Sequence, residues 1–236
     1  MSSHLTNAEE TCARIHAALL ILPLRRSIDA AIPSDGLYFF YEDGEINSHG
    51  TGARVVRVGN HPRAIGRLGN RLRNHYSGNK NGSVFRKFLG GALIRRRNPN
   101  DPCLLPGPGR GHWERQDERT CSRCKPVEQE VSRLLRERFS FRCVRIVDRS
   151  ERNRIEQALI ASLAGCPTCE ASGMWLGRSA YSPNVQQSGL WNSDFVDSLP
   201  LTASELVQFE NFVRLMLQVS STVSNDYCSN LLGVQK

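Results

Sequence analysis

Between Ile46 and Asn100 the chain carries twelve Lys or Arg and no Asp or Glu. Inside that stretch lie Val56-Arg57-Val58-Gly59 and Arg71-Leu72-Arg73-Asn74-His75, and Gly36-Leu37-Tyr38-Phe39-Phe40 stands just ahead of it. These are side chains that can handle a phosphodiester. Its hydrolysis takes an activated water, a cation on the non-bridging oxygens and help for the leaving alkoxide. Arg67, Arg71 and His75 recur every four residues, so on a helix they form one row. A guanidinium presents a planar fork of donors to phosphate oxygens, and an imidazole can relay a proton. Cations with no compensating acids mark a polyanion partner.

A second pattern is chemical of another kind. Cys121/Cys124 and Cys166/Cys169 are two CxxC pairs. Two such knuckles can make a tetrahedral four-thiolate site for a structural Zn2+, and Cys103 or His112 could enter a mixed set. The competing reading is unrelated free thiols. Eight cysteines in 236 residues are too sparse for a secreted disulfide framework.

The bulk numbers narrow the partner. The net charge is only +8, with a sequence pI near 9.3, so the excess positive charge is concentrated at 46–100. Nucleic acid is the expected partner. An anionic membrane surface fits less well, because no amphipathic helix with a large apolar face accompanies the charge. The longest apolar run, residues 17–24, is too short to span a bilayer and contains Pro23. It lacks the flanks of a signal peptide, which makes a cytoplasmic protein the expectation.

The elements that must position these residues can be read from periodicity. Thr6 and Glu9 form a capping box ahead of a helix at about 7–22. Residues 37–41 read as an aromatic strand, Glu42-Asp43-Gly44 as its hairpin turn, and 54–59 as the returning strand. Helices are expected over 62–76, 84–94, 127–139 and 152–164, a strand over 140–147, and a last helix at about 203–219 after Thr202 and Glu205. Residues 95–124, rich in Pro, Gly, Arg and Cys, read as an insertion. The fold class is α/β (α+β): a small mixed or antiparallel sheet flanked by helices. The expected organisation is an N-terminal helical extension (1–33), a central domain (34–194) and a C-terminal helical extension (195–236).

Taken in order, Gly36-Leu37-Tyr38, the strand ending at Gly59, Arg71-x-x-x-His75 on the next helix and Glu156 on a late helix resemble the GIY-YIG nuclease superfamily. The run from Ser83 to Gly90 and the Trp175-Leu176-Gly177 and Ser188–Asn192 runs are similar to a bacterial, restriction or phage-defence branch of it. The resemblance implies a metal-dependent DNA endonuclease. Tyr38 would orient or deprotonate the water, although a phenol of pKa about 10 needs a neighbouring cation to do so. Arg71 would hold the scissile phosphate, and His75 would relay a proton or bind the phosphate. Glu156 would be the single acidic ligand of Mg2+ (or Mn2+). The last motif residue would be Asn192, ahead of Asn184.

The second motif departs from the family pattern, with Arg57 where a tyrosine is usual; a cation there could depress the Tyr38 pKa. The other cations, Arg54, Arg63, Arg67, Arg73, Lys80, Arg86, Lys87, Arg95, Arg96 and Arg97, would attract and position double-stranded DNA through its backbone. One site cuts one strand, so double-strand cleavage would need a homodimer or two binding events. The rival reading is a non-catalytic DNA- or RNA-binding protein, zinc-stabilised, that keeps the fold and basic face. Trp175 and Trp191 read as core anchors, with base stacking as the alternative.

Overall fold

A computed structural model describes residues 7–29, 32–61, 66–104, 113 and 124–231, with backbone only over 218–231. Thr6, Arg63, His112 and Cys121 lie outside the described residues. The elements are α1 (Asn7–Leu20), β1 (Gly36–Ile46), β2 (Ala53–Asn60), α2 (Leu68–Ser77), α3 (Val84–Arg97), α4 (Cys124–Arg138), β3 (Phe139–Arg145), α5 (Arg149–Ala164), α6 (Pro183–Ser188) and α7 (Ala203–Leu231), with a short 3-10 turn at Leu176–Ser179. The three strands form one antiparallel sheet in the order β2-β1-β3.

β1 is the central strand, buried on both faces, which is why its run Leu37–Tyr41 is continuously apolar or aromatic. Tyr38, Phe40 and Val56 face a core built with α2, α3, α4 and the three tryptophans. Leu37, Phe39, Tyr41 and Val58 face a second core built with α1, α5 and α7. The N- and C-terminal helices therefore share a core with the sheet.

The strand reading needs one correction. Glu42-Asp43-Gly44 is not the turn: β1 runs on to Ile46, and the chain reverses over 47–52, where the Asn47 side chain bonds the backbone of His49, Thr51, Gly52 and Ala53. Glu42 and Glu45 can stay in a strand because distant partners satisfy them. Glu42 receives the indole N–H groups of Trp175 and Trp191, and Glu45 pairs with Arg54 and Ser172.

Helix starts follow the capping signals. Asp148 accepts from Glu151 N–H at 2.8 Å, Thr202 and Glu205 bond reciprocally, and Ser83 caps α3. α2 starts at Leu68, its N–H held by Ser34 O at 3.1 Å. Residues 95–97, read as the start of an insertion, are instead the last turn of α3, and Cys124 opens α4.

Candidate active site

Tyr38 sits on β1 opposite Gly59 of β2. The pairing explains that glycine. A Cβ on Gly59 would stand 2.3 Å from the Tyr38 phenol oxygen, so only Gly lets the ring lie flat across β2. Tyr38 retains 1 % exposure, and its oxygen is hydrogen-bonded to His75 Nε2 at 2.8 Å. His75 Nδ1 is bonded in turn to Ser83 Oγ at 2.7 Å. Three elements thus supply one continuous chain, Tyr38–His75–Ser83.

His75 is wholly buried, and its pKa is pushed well below the ordinary value by burial and by Arg57, Arg71 and Arg86 nearby. The ring is therefore neutral, and both nitrogens are engaged. It suits a proton relay and cannot touch a phosphate, which removes one of its two expected roles.

A bulge at Val56 shapes the neighbouring strand. Phe40 pairs with Arg57 and Tyr41 with Val55, so Val56 is the extra residue, and it and Arg57 turn to the same face. Arg57 lies 5.1 Å over the Phe85 ring, and Nη1 donates to Trp191 O. Its Nε is buried without a partner among the described residues. A buried guanidinium donor left unpaired keeps a fixed positive charge that acts on both His75 and Glu156. Arg71, on the exposed side of α2, spends Nη1 on Gly82 O at 3.0 Å and acts electrostatically on both His75 and Glu156.

Glu156 projects from α5 to the end of β2. Asn60 Nδ2 donates to its Oε2 at 2.7 Å and also to Asn153 Oδ1 at 2.8 Å. Burial raises the carboxyl pKa from 4.5 to about 7, against the opposing pull of Arg57, an Asn60 hydrogen bond, Arg71 and Arg152. Arg152 makes no ion pair with it across one helical turn; its guanidinium caps the Ile146 and Val147 carbonyls. A carboxylate held where its own charge is unfavourable fits a hard divalent cation, whose charge would offset the burial.

Asn192 is brought to the site, but as scaffold. Its amide accepts from Val58 N–H at 3.1 Å and donates to Val58 O at 2.9 Å, while Trp191 N–H donates to Val56 O at 2.6 Å. The segment thereby covers the outer edge of β2 and fixes Arg57 and Gly59. Asn184 donates to Ser193 O instead.

The expected DNA contacts divide sharply. Arg54 is 2 % exposed, paired with Glu45 at 2.6 Å and bonded to Gly189 O, and it lies over Trp175. Arg86 is fully buried, binding Glu128, Ser132 and the His75 and Tyr76 carbonyls. Neither can reach a duplex, and both are corrected to core residues. Lys80 is buried over Trp113, and Arg97 is paired with Glu130. Arg67, Arg73, Arg95 and Arg96 are exposed and Lys87 half-buried, so a basic surface remains on α2 and α3.

The thiols do not gather as the CxxC spacing suggested. Cys124 lies in the core on the Tyr38 face with Cys103, whereas Cys166 and Cys169 lie in the core on the opposite face. Trp175 and Trp191 are core, their rings tilted against each other at 5.1 Å between centroids, which disposes of base stacking.

Three participants were missed: Ser83, Asn60 and the structural need for Gly59. Ser83 belongs to a run already singled out, whose logic is now visible. Ser83 caps α3 and completes the relay, Phe85 lies under Arg57, and Arg86 ties the end of α2 to α4. Gly90 admits Trp113, whose ring would meet a Cβ at 1.9 Å.

Comparison with known proteins bears on this geometry. No curated protein and no solved structure matches the chain. A family model described as a GIY-YIG domain matches residues 22–218 of the 236. That span contains every residue of the site, and the chain belongs to the GIY-YIG nuclease superfamily.

Proposed function

We propose that this chain is a divalent-metal-dependent DNA endonuclease working from the Tyr38 centre. The observation that carries the reading is the Tyr38–His75–Ser83 chain lying among Arg57, Arg71 and Glu156. Tyr38 takes a proton from the attacking water as it passes its own to His75 Nε2, while the His75 Nδ1 proton stays hydrogen-bonded to Ser83 Oγ. His75 holds no charge at rest and so can accept that proton, and its burial beside Arg57, Arg71 and Arg86 favours returning it through Tyr38 to the leaving oxygen. The fork of Arg71 binds the non-bridging oxygens, and the buried charge of Arg57 favours negative charge developing there. Glu156, with Asn60 orienting its carboxylate, holds Mg2+ or Mn2+, which when bound supplies a Lewis acid for the phosphodiester. Asn192 is a positioning residue that keeps β2 in place.

The substrate proposed is double-stranded DNA, held through its backbone by Arg67, Arg73, Arg95 and Arg96 on the exposed faces of α2 and α3. A restriction or phage-defence role is proposed from the resemblance of the Ser83–Gly90 and Trp175–Asn192 runs. With one such centre per chain, double-strand breaks need a homodimer or two binding events. Among the described residues no helix is long and apolar enough to cross a membrane. A plasmid-nicking assay with and without Mg2+, beside Glu156→Ala, tests the reading. Metal-dependent nicking that Glu156→Ala loses supports it. DNA binding without cleavage in any divalent metal refutes it in favour of a non-catalytic binding protein.

A further inference from the structure

Cys12 and His16 lie one turn apart on α1, His49 lies in the loop between β1 and β2, and Cys166 and Cys169 follow α5. These five belong to elements far apart in sequence, yet they converge on the sheet face opposite Tyr38. One ligand atom from each of Cys12, His16, His49 and Cys169 lies within 4.8 Å of the other three. Cys166 Sγ stands 3.7 Å from His49 Nε2, and the Cys12 thiol engages both Cys169 and Cys166. Zinc bound at about 2.3 Å from sulfur and about 2.0 Å from nitrogen spaces tetrahedral ligands by roughly 3.3–3.8 Å. The cluster needs only small adjustments to meet that spacing.

The chemistry selects four of the five. His16 Nε2 accepts from Val55 N–H at 3.2 Å, so Nδ1 carries the proton and donates to Cys12 O at 2.9 Å. Both nitrogens are spent on backbone. Three thiols and one imidazole remain. Soft sulfur with imidazole in a tetrahedral set suits zinc. Ser48 donates to Cys169 from its backbone and its hydroxyl, and Thr168 Oγ1 lies 3.7 Å from Cys166 Sγ.

We propose that Cys12, His49, Cys166 and Cys169 hold a structural zinc ion that staples α1 and the β1–β2 loop to the end of α5. The site takes Cys12 from outside the 22–218 span that matches the family model, so it ties an added helix to the nuclease core. Cys166 and Cys169 are the one CxxC pair of the sequence that it uses.

The test is metal analysis of the full chain after dialysis against a mild chelator, with cobalt substitution read by visible absorption. Wild type should retain about one zinc per chain and, with cobalt, show the intense bands of a tetrahedral thiolate site. Cys12→Ser, Cys166→Ser and Cys169→Ser should lose the metal, and Cys124→Ser and Cys143→Ser should keep it. His49 is only half-buried, so His49→Ala should fold, and its zinc affinity should fall by more than about tenfold. His16→Gln should retain zinc. Wild type that binds neither zinc nor cobalt overturns the proposal, as does zinc retained in Cys12→Ser or mass analysis showing an oxidised Cys12–Cys169 pair in the folded protein. Zinc lost from His16→Gln but retained in Cys166→Ser overturns the ligand set.

Discussion

Glu156→Gln should make the metal-free protein more stable above neutral pH while abolishing cleavage. The reason is linkage. The folded-state pKa of Glu156 is raised from 4.5 to about 7, chiefly by burial, so the fold prefers the protonated form. Stability from this group is therefore present below pH 4.5 and is lost as pH rises towards about 7. At about 1.4 kcal/mol per pH unit the full loss is about 3 kcal/mol. Partial exposure of the carboxyl lets water screen it, which brings the expectation to about 2 kcal/mol. Gln keeps the oxygen that accepts from Asn60 Nδ2 and removes the charge. The assay is urea unfolding of both proteins from pH 4 to 8.5 in chelator, at about half-unit steps. The variant's advantage should be near zero at low pH, grow between pH 4.5 and 7, and level off above. Glu42, raised to about 7 mainly by its own burial, contributes the same slope to both proteins and cancels in the difference. At pH 8, Mg2+ should stabilise wild type and leave the variant unmoved. Parallel pH profiles, or a variant less stable at pH 8, would refute the reasoning that Glu156 is held as an unfavourable charge awaiting a cation.

Gly59→Ala should displace the Tyr38 ring, since the new Cβ would stand 2.3 Å from its oxygen; a stability loss of about 1–3 kcal/mol with nicking reduced further than that loss explains is the expected result. Asn192→Ala leaves the Val58 N–H and C=O without partners and should cost about 1–3 kcal/mol, measured by denaturation, with Mg2+ affinity little changed. Arg86→Met breaks a buried ion pair and four further hydrogen bonds, and should cost about 3–5 kcal/mol, whereas Arg95→Ala on the surface should leave stability unchanged and lower the salt slope of DNA binding by about one.

The order and type of the elements follow from local signals, because caps, turns and hydrophobic periods act within a few residues. The tyrosine, the helix arginine and histidine and the late glutamate could be placed for the same reason: each sits at a fixed point of a regular element. What local reading missed is long-range. Glu42, Asp43 and Gly44 look like a turn, and Arg138 together with two tryptophans more than a hundred residues away lets Glu42 remain in a strand. The acid-free stretch misleads similarly. It has no carboxylate in sequence, yet Arg54, Arg86 and Arg97 find Glu45, Glu128 and Glu130 from outside it, so part of the expected basic face is interior. The cysteine spacing singled out Cys166 and Cys169, but the residues clustered with them come from α1 and a loop that nothing in the CxxC pattern indicates.

The most direct measurement is the single-turnover nicking rate of Tyr38→Phe against wild type, at saturating DNA and Mg2+. Phe keeps the ring against Gly59 and Phe40 and removes only the oxygen bonded to His75. A rate lowered by about 10²–10⁴-fold, with DNA affinity and unfolding midpoint close to wild type, is the predicted result. Cleavage by Tyr38→Phe at the wild-type rate would contradict the assignment of this tyrosine as the centre of the chemistry.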